Sequence, residues 1–267
     1  MSPVRLDVHL VEAGLARSRG QARDLIAQGS VTIDGRVASR PATPVPEGAA
    51  VVLSEDDASR WVGRAALKLV AATELFPEFA AAVDGARCLD VGASTGGFTQ
   101  VLLEHGAAHV IALDVGHDQL APAVRDDPRV EERSGVNIRN VGPDAITPVD
   151  ILVGDLSFIS LTLVADILRS LLAPDGQAVL LVKPQFEVGR ARLGKSGVVR
   201  KAADRRDALL ATTAALHEAG LPPTDLRACP TVGSTGNQEY LLWSGGPTVM
   251  TRDEILQRAD ELTQEEP

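Results

Sequence analysis

Three charged residues of this 267-residue chain stand at the ends of apolar runs, where charge is costly. Asp155 follows Ile151-Leu152-Val153-Gly154, Lys183 follows Val179-Leu180-Leu181-Val182, and Glu239 opens Tyr240-Leu241-Leu242-Trp243. A charge in such a place is expensive unless paired, so opposite signs at strand ends predict a cluster. Lys68 completes a Lys-Asp-Lys-Glu set. The lysines of the chain are Lys68, Lys183, Lys195 and Lys201, and every other cation is an arginine. Lysine is the cation whose compact ammonium can lose its proton.

A second stretch complements that set: Leu89-Asp90-Val91-Gly92-Ala93-Ser94-Thr95-Gly96-Gly97-Phe98-Thr99. Its left half is a buried strand by composition, and Phe98, Val101 and Leu102 have helical spacing. In the glycine turn between them, backbone amides can approach a ligand without interference from Cβ atoms. Strand, glycine turn and helix together hold nucleotide-like cofactors at the carboxyl edge of a parallel sheet. The glycines read G-x-x-x-G-G at Gly92, Gly96 and Gly97, not the G-x-G-x-x-G of a dinucleotide site.

The elements that must position these residues follow from periodicity. From residue 65 onward, helix and strand signals alternate: helix 65–75, strand 87–91, helix 98–105, strand 110–114, helix 119–125 and strand 130–133. Strand 151–155, helix 161–172, strand 178–182, helix 205–218 and strand 239–243 complete the series, with an acidic tail over 251–266. Alternating βα units predict an α/β fold with a doubly wound parallel sheet, whose strand ends converge on one crevice. Ahead of it, Leu6, Leu10 and Val11 mark a helix ended by Gly14, and Ser18 caps a helix over 19–28 closed by Gly29. Val31-Thr32-Ile33, the turn Asp34-Gly35 and strand 51–53 add a small sheet. The expected organisation is a small α+β domain at 1–58, a linker at 59–64 and a large domain at 65–267. A Trp in a linker is costly to leave exposed, so Trp61 is expected to pack against a domain.

Bulk properties narrow the function classes. A net charge of −10 argues against a general nucleic-acid coat protein, yet screening lets a local basic face act on its own. Between residues 190 and 206 the chain carries Arg190, Arg192, Lys195, Arg200, Lys201, Arg205 and Arg206 against Asp204 alone. Glycines 189, 194 and 197 predict that this stretch is a mobile loop able to close on RNA. The cysteines, Cys88 and Cys229, lack metal-ligand spacing, so neither zinc nor a disulfide framework is expected, and a reducing cytoplasm fits. No apolar run reaches the roughly 18 residues of a membrane helix, and no secretory signal opens the chain.

Asp90 ahead of the glycines resembles the first motif of S-adenosylmethionine-dependent methyltransferases, and Asp114 ends the next strand where an acid accepts ribose hydroxyls. The resemblance implies a cofactor site of Asp90, Gly92, Ala93, Ser94, Gly96, Gly97, Phe98, Asp114 and Asp155. The order Lys68, Asp155, Lys183, Glu239 resembles the catalytic tetrad of FtsJ-like ribose 2′-O-methyltransferases. Residues 5–37 are similar to the small RNA-binding domain first seen in a ribosomal small-subunit protein. Together with the strings Ala93–Thr99, Asp155–Ser160, Val182–Glu187 and Gly236–Tyr240, they resemble the TlyA ribosomal RNA 2′-O-methyltransferases, formerly called haemolysins. The chain departs from that family at Gly63-Arg64-Ala65-Ala66-Leu67-Lys68-Leu69, where a second glycine is usual.

The resemblance implies S-adenosylmethionine as cofactor and methyl transfer to a ribose of ribosomal RNA, with cytidine as the nucleoside and no metal. Lys183 would be the general base, its pKa lowered by crowding from Lys68, while Asp155 and Glu239 orient the two ammonium groups. Arg5, Arg17, Ser18, Arg19, Arg23, Arg64, Arg190 and Arg192 would meet RNA. A monomer acting on ribosomal subunits is expected. Two alternatives belong to other classes: an assembly factor with a vestigial methyltransferase fold, and a membrane-active haemolysin.

Overall fold

Apolar runs flanked by glycine turns set the elements of the large part of the chain. The computed structural model describes residues 4–16, 18–27, 30–53, 60–142, 144–189, 192–194, 197–231 and 236–264. The chain forms two compact units, Met1–Leu67 and Lys68–Pro267.

In the first unit, β1 (Val4–Arg5) leads into α1 (Leu6–Glu12), and α2 is Arg19–Ala27. Leu6 and Leu10, one turn apart on α1, meet Ala22, Leu25 and Ile26 of α2 in a closed apolar core. Gly14 takes a left-handed φ of 71° where α1 ends. Three strands, β2 (Val31–Ile33), β3 (Arg36–Val37) and β5 (Val51–Leu53), form an antiparallel sheet with β2 in the middle. Asp34 and Gly35 both have positive φ, 49° and 75°, so a mirror-type turn joins β2 to β3 as the Asp-Gly pair predicts. The short β4 (Pro44–Val45) pairs with β1. Trp61 is buried, with the Arg60 guanidinium 4.9 Å from its ring centre.

The second unit begins inside α3 (Ala66–Leu75), followed by α4 (Pro77–Ala82), and carries a seven-stranded sheet. Its strands are β6 (Arg87–Val91), β7 (His109–Asp114), β8 (Val130–Ser134), β9 (Val149–Gly154), β10 (Leu172–Val182), β11 (Pro223–Ala228) and β12 (Tyr240–Ser244). They lie in the order β11-β12-β10-β9-β6-β7-β8. The intervening helices are α5 (Gly97–Glu104), α6 (Pro122–Arg125), α7 (Ala165–Ser170), α8 (Pro184–Glu187) and α9 (Ala202–Glu218), and α10 (Arg252–Thr263) follows β12. The chain runs outward from β6 to β7 and β8, then returns to the other side of β6 as β9. That reversal makes the carboxyl ends of β6 and β9 the crevice where open α/β sheets bind ligands.

Several expectations need correction. The sheet is not wholly parallel, because β12 is antiparallel to both β10 and β11. The connection 229–239 is too short for the crossover that a parallel pair needs, so β12 doubles back on β11. Strand β11 and helix α4 escape a reading by apolar pattern, since Pro223-Thr224-Asp225 and Pro77-Glu78 interrupt it. The stretch expected as helix 161–172 breaks into a 3-10 turn at Leu161–Leu163 and the short α7, and Leu172 already belongs to β10. The acidic tail is a helix: the Thr251 side chain and the Glu254 carboxylate close a capping box, and Ala259 of α10 enters the main core.

Candidate active site

The floor of the site is the turn between β6 and α5. Gly92 has φ +87°, and a Cβ there would stand 3.0 Å from the backbone oxygen of Asp155. Gly96, at φ +90°, would drive a Cβ to 2.9 Å from Val124 Cγ1. Only glycine fits either position. Asp114, at the end of β7, accepts from the Ser94 amide at 2.8 Å and from the Gly116 amide at 2.7 Å. Above this turn opens a cavity of about 540 Å³ lined by Gly92, Ser94, Asp114, Asn137, Asp155 and Phe158, among others. Its size is that of a small-molecule site.

Not every residue expected at the cofactor reaches that cavity. Ala93, Gly96, Gly97 and Phe98 are buried behind the turn and shape it. Asp90 is fully buried too: it accepts from the Thr99 amide at 2.9 Å and from its hydroxyl at 2.7 Å, pinning the first turn of α5. Burial pushes its carboxyl up to about 7, against the pull of those two hydrogen bonds.

The four charges expected to cluster do meet. Lys68 projects from α3, Asp155 follows β9, Lys183 follows β10, and Glu239 precedes β12. Lys68 Nζ lies 3.1 Å from Asp155 Oδ2 and 2.7 Å from Glu239 Oε2, while Lys183 Nζ lies 2.6 Å from Asp155 Oδ1. Lys68, Lys183 and Glu239 are buried, and the Asp155 side chain is 13% exposed. Burial works to lower the Lys68 pKa, but Asp155 and then Glu239 outweigh it, and the ammonium is held above its ordinary value. For Asp155, burial works upward, and Lys183 and Lys68 prevail, so the carboxylate is held below its ordinary range. Each ammonium takes one oxygen of Asp155, so the carboxylate lies between the two lysines.

Several neighbours went unassigned in the sequence. Ser157 Oγ accepts from Lys183 Nζ at 2.8 Å, at the cavity wall. Phe158 is 92% exposed and sits at φ +65°, a left-handed conformation rare for a bulky residue. Its ring lies 5.2 Å from that of Phe186, and the Lys183 ammonium is 5.8 Å from the Phe186 ring centre. Glu187 accepts from the Leu161 amide at 2.9 Å and from the Ser160 hydroxyl, tying α8 to the loop that carries Asp155 and Ser157. Their signals in the sequence are the strings Asp155-Leu156-Ser157-Phe158 and Lys183-Pro184-Gln185-Phe186-Glu187, which carry these residues beside the two charges.

The residues expected to meet RNA fall into two groups. Arg5, Arg19 and Arg23 gather around Asp7, Ser18 opens α2 with its carbonyl accepting from the Ala22 amide at 2.9 Å, and Arg64 is half-buried. Arg17, Arg190 and Lys195 lie outside the described residues. Arg192 is paired with Asp207 at 2.7 Å and with Asp204 at 3.6 Å. Arg206 pairs with Asp260, and Arg205 donates to the carbonyls of Arg200, Val199 and Thr263. Buried Asn237 accepts from the Val199 amide at 2.9 Å and donates to the Gly197 carbonyl at 3.0 Å. Gly197 and Val199 are thus tied to Asn237, and Arg205 and Arg206 to Thr263 and Asp260, all distant in sequence.

Comparison with known proteins agrees with this geometry. Residues 61–246 match the FtsJ-like methyltransferase family, and residues 4–51 match the S4 domain. A Mycobacterium tuberculosis protein named 16S/23S rRNA (cytidine-2′-O)-methyltransferase TlyA is 49% identical over 240 residues, covering 90% of this chain and 88% of that one. The chain belongs to the TlyA family of FtsJ-like methyltransferases. Hemolysin A of Brachyspira hyodysenteriae is 35% identical, over 89% of this chain and 98% of its own length. A solved Streptococcus thermophilus structure, also titled a hemolysin, superposes with a TM-score of 0.75 at 33% identity, covering 98% of this chain and 96% of that one. Among the described residues, no helix is long and apolar enough to cross a membrane.

Proposed function

We propose that the chain transfers a methyl group from S-adenosylmethionine to a ribose 2′-hydroxyl of ribosomal RNA, at cytidine, in one or both ribosomal subunits. The observation that carries the reading is the shared carboxylate: Asp155 holds Lys68 and Lys183, one on each oxygen, beside a cavity floored by Gly92. Relatives named for rRNA cytidine 2′-O-methylation supply the substrate class.

The residues present suit the cofactor. The Gly92 turn admits a ligand where a side chain would not fit, Ser94 and Asp114 line the cavity, and Asp114 is an acceptor at the end of the second strand, suited to a ribose diol. When bound, S-adenosylmethionine supplies an electrophilic methyl on its sulfonium. The chain must then position the acceptor hydroxyl and remove its proton. Lys183 in its neutral form takes that proton on Nζ, held by Asp155 and by Ser157. Lys183 and Lys68 keep Asp155 ionised, Glu239 holds Lys68 in place, and in-line placement of oxygen, methyl and sulfur contributes a large share of the rate. Exposed Phe158, with Phe186 beside it, gives the target base a stacking face.

We assign residues 1–58 to RNA binding, 59–64 to a linker and 65–267 to catalysis, with S4-type contacts from Arg5, Arg19 and Arg23. Lys183→Ala should lower methyl transfer to ribosomal RNA by about 10²- to 10⁴-fold, with cofactor affinity in calorimetry nearly unchanged. Wild-type protein that binds cofactor and RNA yet transfers no methyl would point to an assembly factor.

A further inference from the structure

Asp7 lies in the first turn of α1, and its side chain is fully shielded from solvent. Guanidinium groups lie against its carboxylate. Arg5 holds it from Nε to Oδ1 at 2.9 Å and from Nη2 to Oδ2 at 3.2 Å. Arg19 donates from Nη2 to Oδ2 at 3.0 Å, and Arg23 Nε stands 3.6 Å from the same oxygen. The three arginine side chains stay about half exposed, at 48, 54 and 56%. Arg5 first, then Arg19, keeps the carboxyl far below the usual range against the upward push of burial, so Asp7 remains an anion.

A guanidinium carries five N–H donors in a rigid fork. Arg5 spends two on Asp7 and Arg19 one, so most of the donors are not spent on Asp7. Three cations on one anion also leave a surplus of positive charge on this surface. Arg19 and Arg23 share one face of α2, and Arg5 joins them from the start of α1.

We propose that Asp7 is a positioning residue that locks Arg5, Arg19 and Arg23 into one comb for the phosphodiester groups of an RNA backbone. The proposal rests on the RNA-methylating reading and names how its binding unit is ordered. Long arginine side chains lose rotamer freedom when they grip a phosphate, and a carboxylate that holds them beforehand removes part of that cost. It also places a negative charge beneath the patch. Ordering and net charge therefore push in opposite directions, and ordering wins.

The test is the full chain carrying Asp7→Asn, titrated with transcribed small-subunit ribosomal RNA between about 50 and 200 mM salt. Affinity should fall by roughly tenfold at low salt, and the slope of log affinity against log salt should flatten by about one. This loss is expected although the variant is one charge more positive; equal or tighter binding overturns the proposal. In a background of Arg5→Ala, Arg19→Ala and Arg23→Ala, Asp7→Asn should cost no further affinity, whereas an undiminished loss there would mark a merely structural role. If Asp7→Asn does not fold, Arg19→Lys decides: it keeps the charge on an exposed side chain and removes the fork, so binding should weaken several-fold, and unchanged affinity refutes the comb. A wild-type chain without salt-dependent RNA binding defeats the functional reading too, whereas binding that survives Asp7→Asn defeats this inference alone.

Discussion

Two carboxylates in this protein are each shared among several cations, and they differ in which partner is buried. Around Asp7 the anion is hidden and three arginines stay half in water. Around Asp155 the cations themselves, Lys68 and Lys183, are buried along with Glu239. Exposed guanidiniums keep their charge and most of their donors for a polyanion arriving from solvent. Buried ammonium groups are dehydrated and fixed by short contacts, which suits proton transfer at a single atom. In the reading proposed above, the same motif of one acid under several bases serves grip in one unit and chemistry in the other, and depth separates the two.

The contrast breaks most sharply at Asp155. Asp155→Asn leaves two buried lysines short of their shared anion, and losing one partner of a buried pair costs about 3–5 kcal/mol. We expect a large drop in the thermal midpoint of the second unit and loss of methyl transfer even at saturating RNA, whereas Asp7→Asn should act through RNA affinity. Asp155 is held below its ordinary pKa, so its contribution is present above the unfolded value and is lost as pH falls through the folded one. Acid unfolding of the variant should therefore be blunted relative to wild type below about pH 4.

Asp90 supplies the opposite case, a buried carboxyl that accepts from the Thr99 amide and hydroxyl and, among the described residues, pairs with no cation. Its pKa is raised from 3.8 to about 7, so its contribution to stability is full below 3.8 and disappears as pH rises through about 7. Thermal melts from pH 5 to 7.5 should show wild type losing stability relative to Asp90→Asn; parallel curves would mean that Asp90 is ionised and stabilised in some other way. The smallest effect is expected at Phe158. An exposed aromatic contributes little to folding, so Phe158→Ala should leave the melting curve within about 0.5 kcal/mol of wild type. It should raise the KM for RNA by roughly 5- to 150-fold, the worth of one base stack. An unchanged KM would remove Phe158 from the interface.

Local chemistry was legible in the sequence, and long-range pairing was not. Gly92 and Gly96 could be read from the turn because a left-handed φ and a close approach leave no other residue type. Asp155, Lys183 and Glu239 could be grouped because each is a charge at the edge of an apolar strand, and Lys68 joined them as one of few lysines and through the family resemblance. The reversal of β12 was hidden, since strand direction depends on where the chain returns and not on its own pattern. The tethers of the basic stretch were hidden because Asp260 and Asn237 lie elsewhere in the chain. The helix at Arg252–Thr263 announced itself through Thr251 and Glu254, but its acidic composition read as a tail.

The contact between Gly92 and the carbonyl of Asp155 has an evolutionary consequence. In the proposed reading, the cofactor turn and the residue that holds Lys183 are separated there by the breadth of one missing methyl, so a mutation at this point cannot trade one capability against the other. Drift at Gly92 to any larger residue should weaken both together.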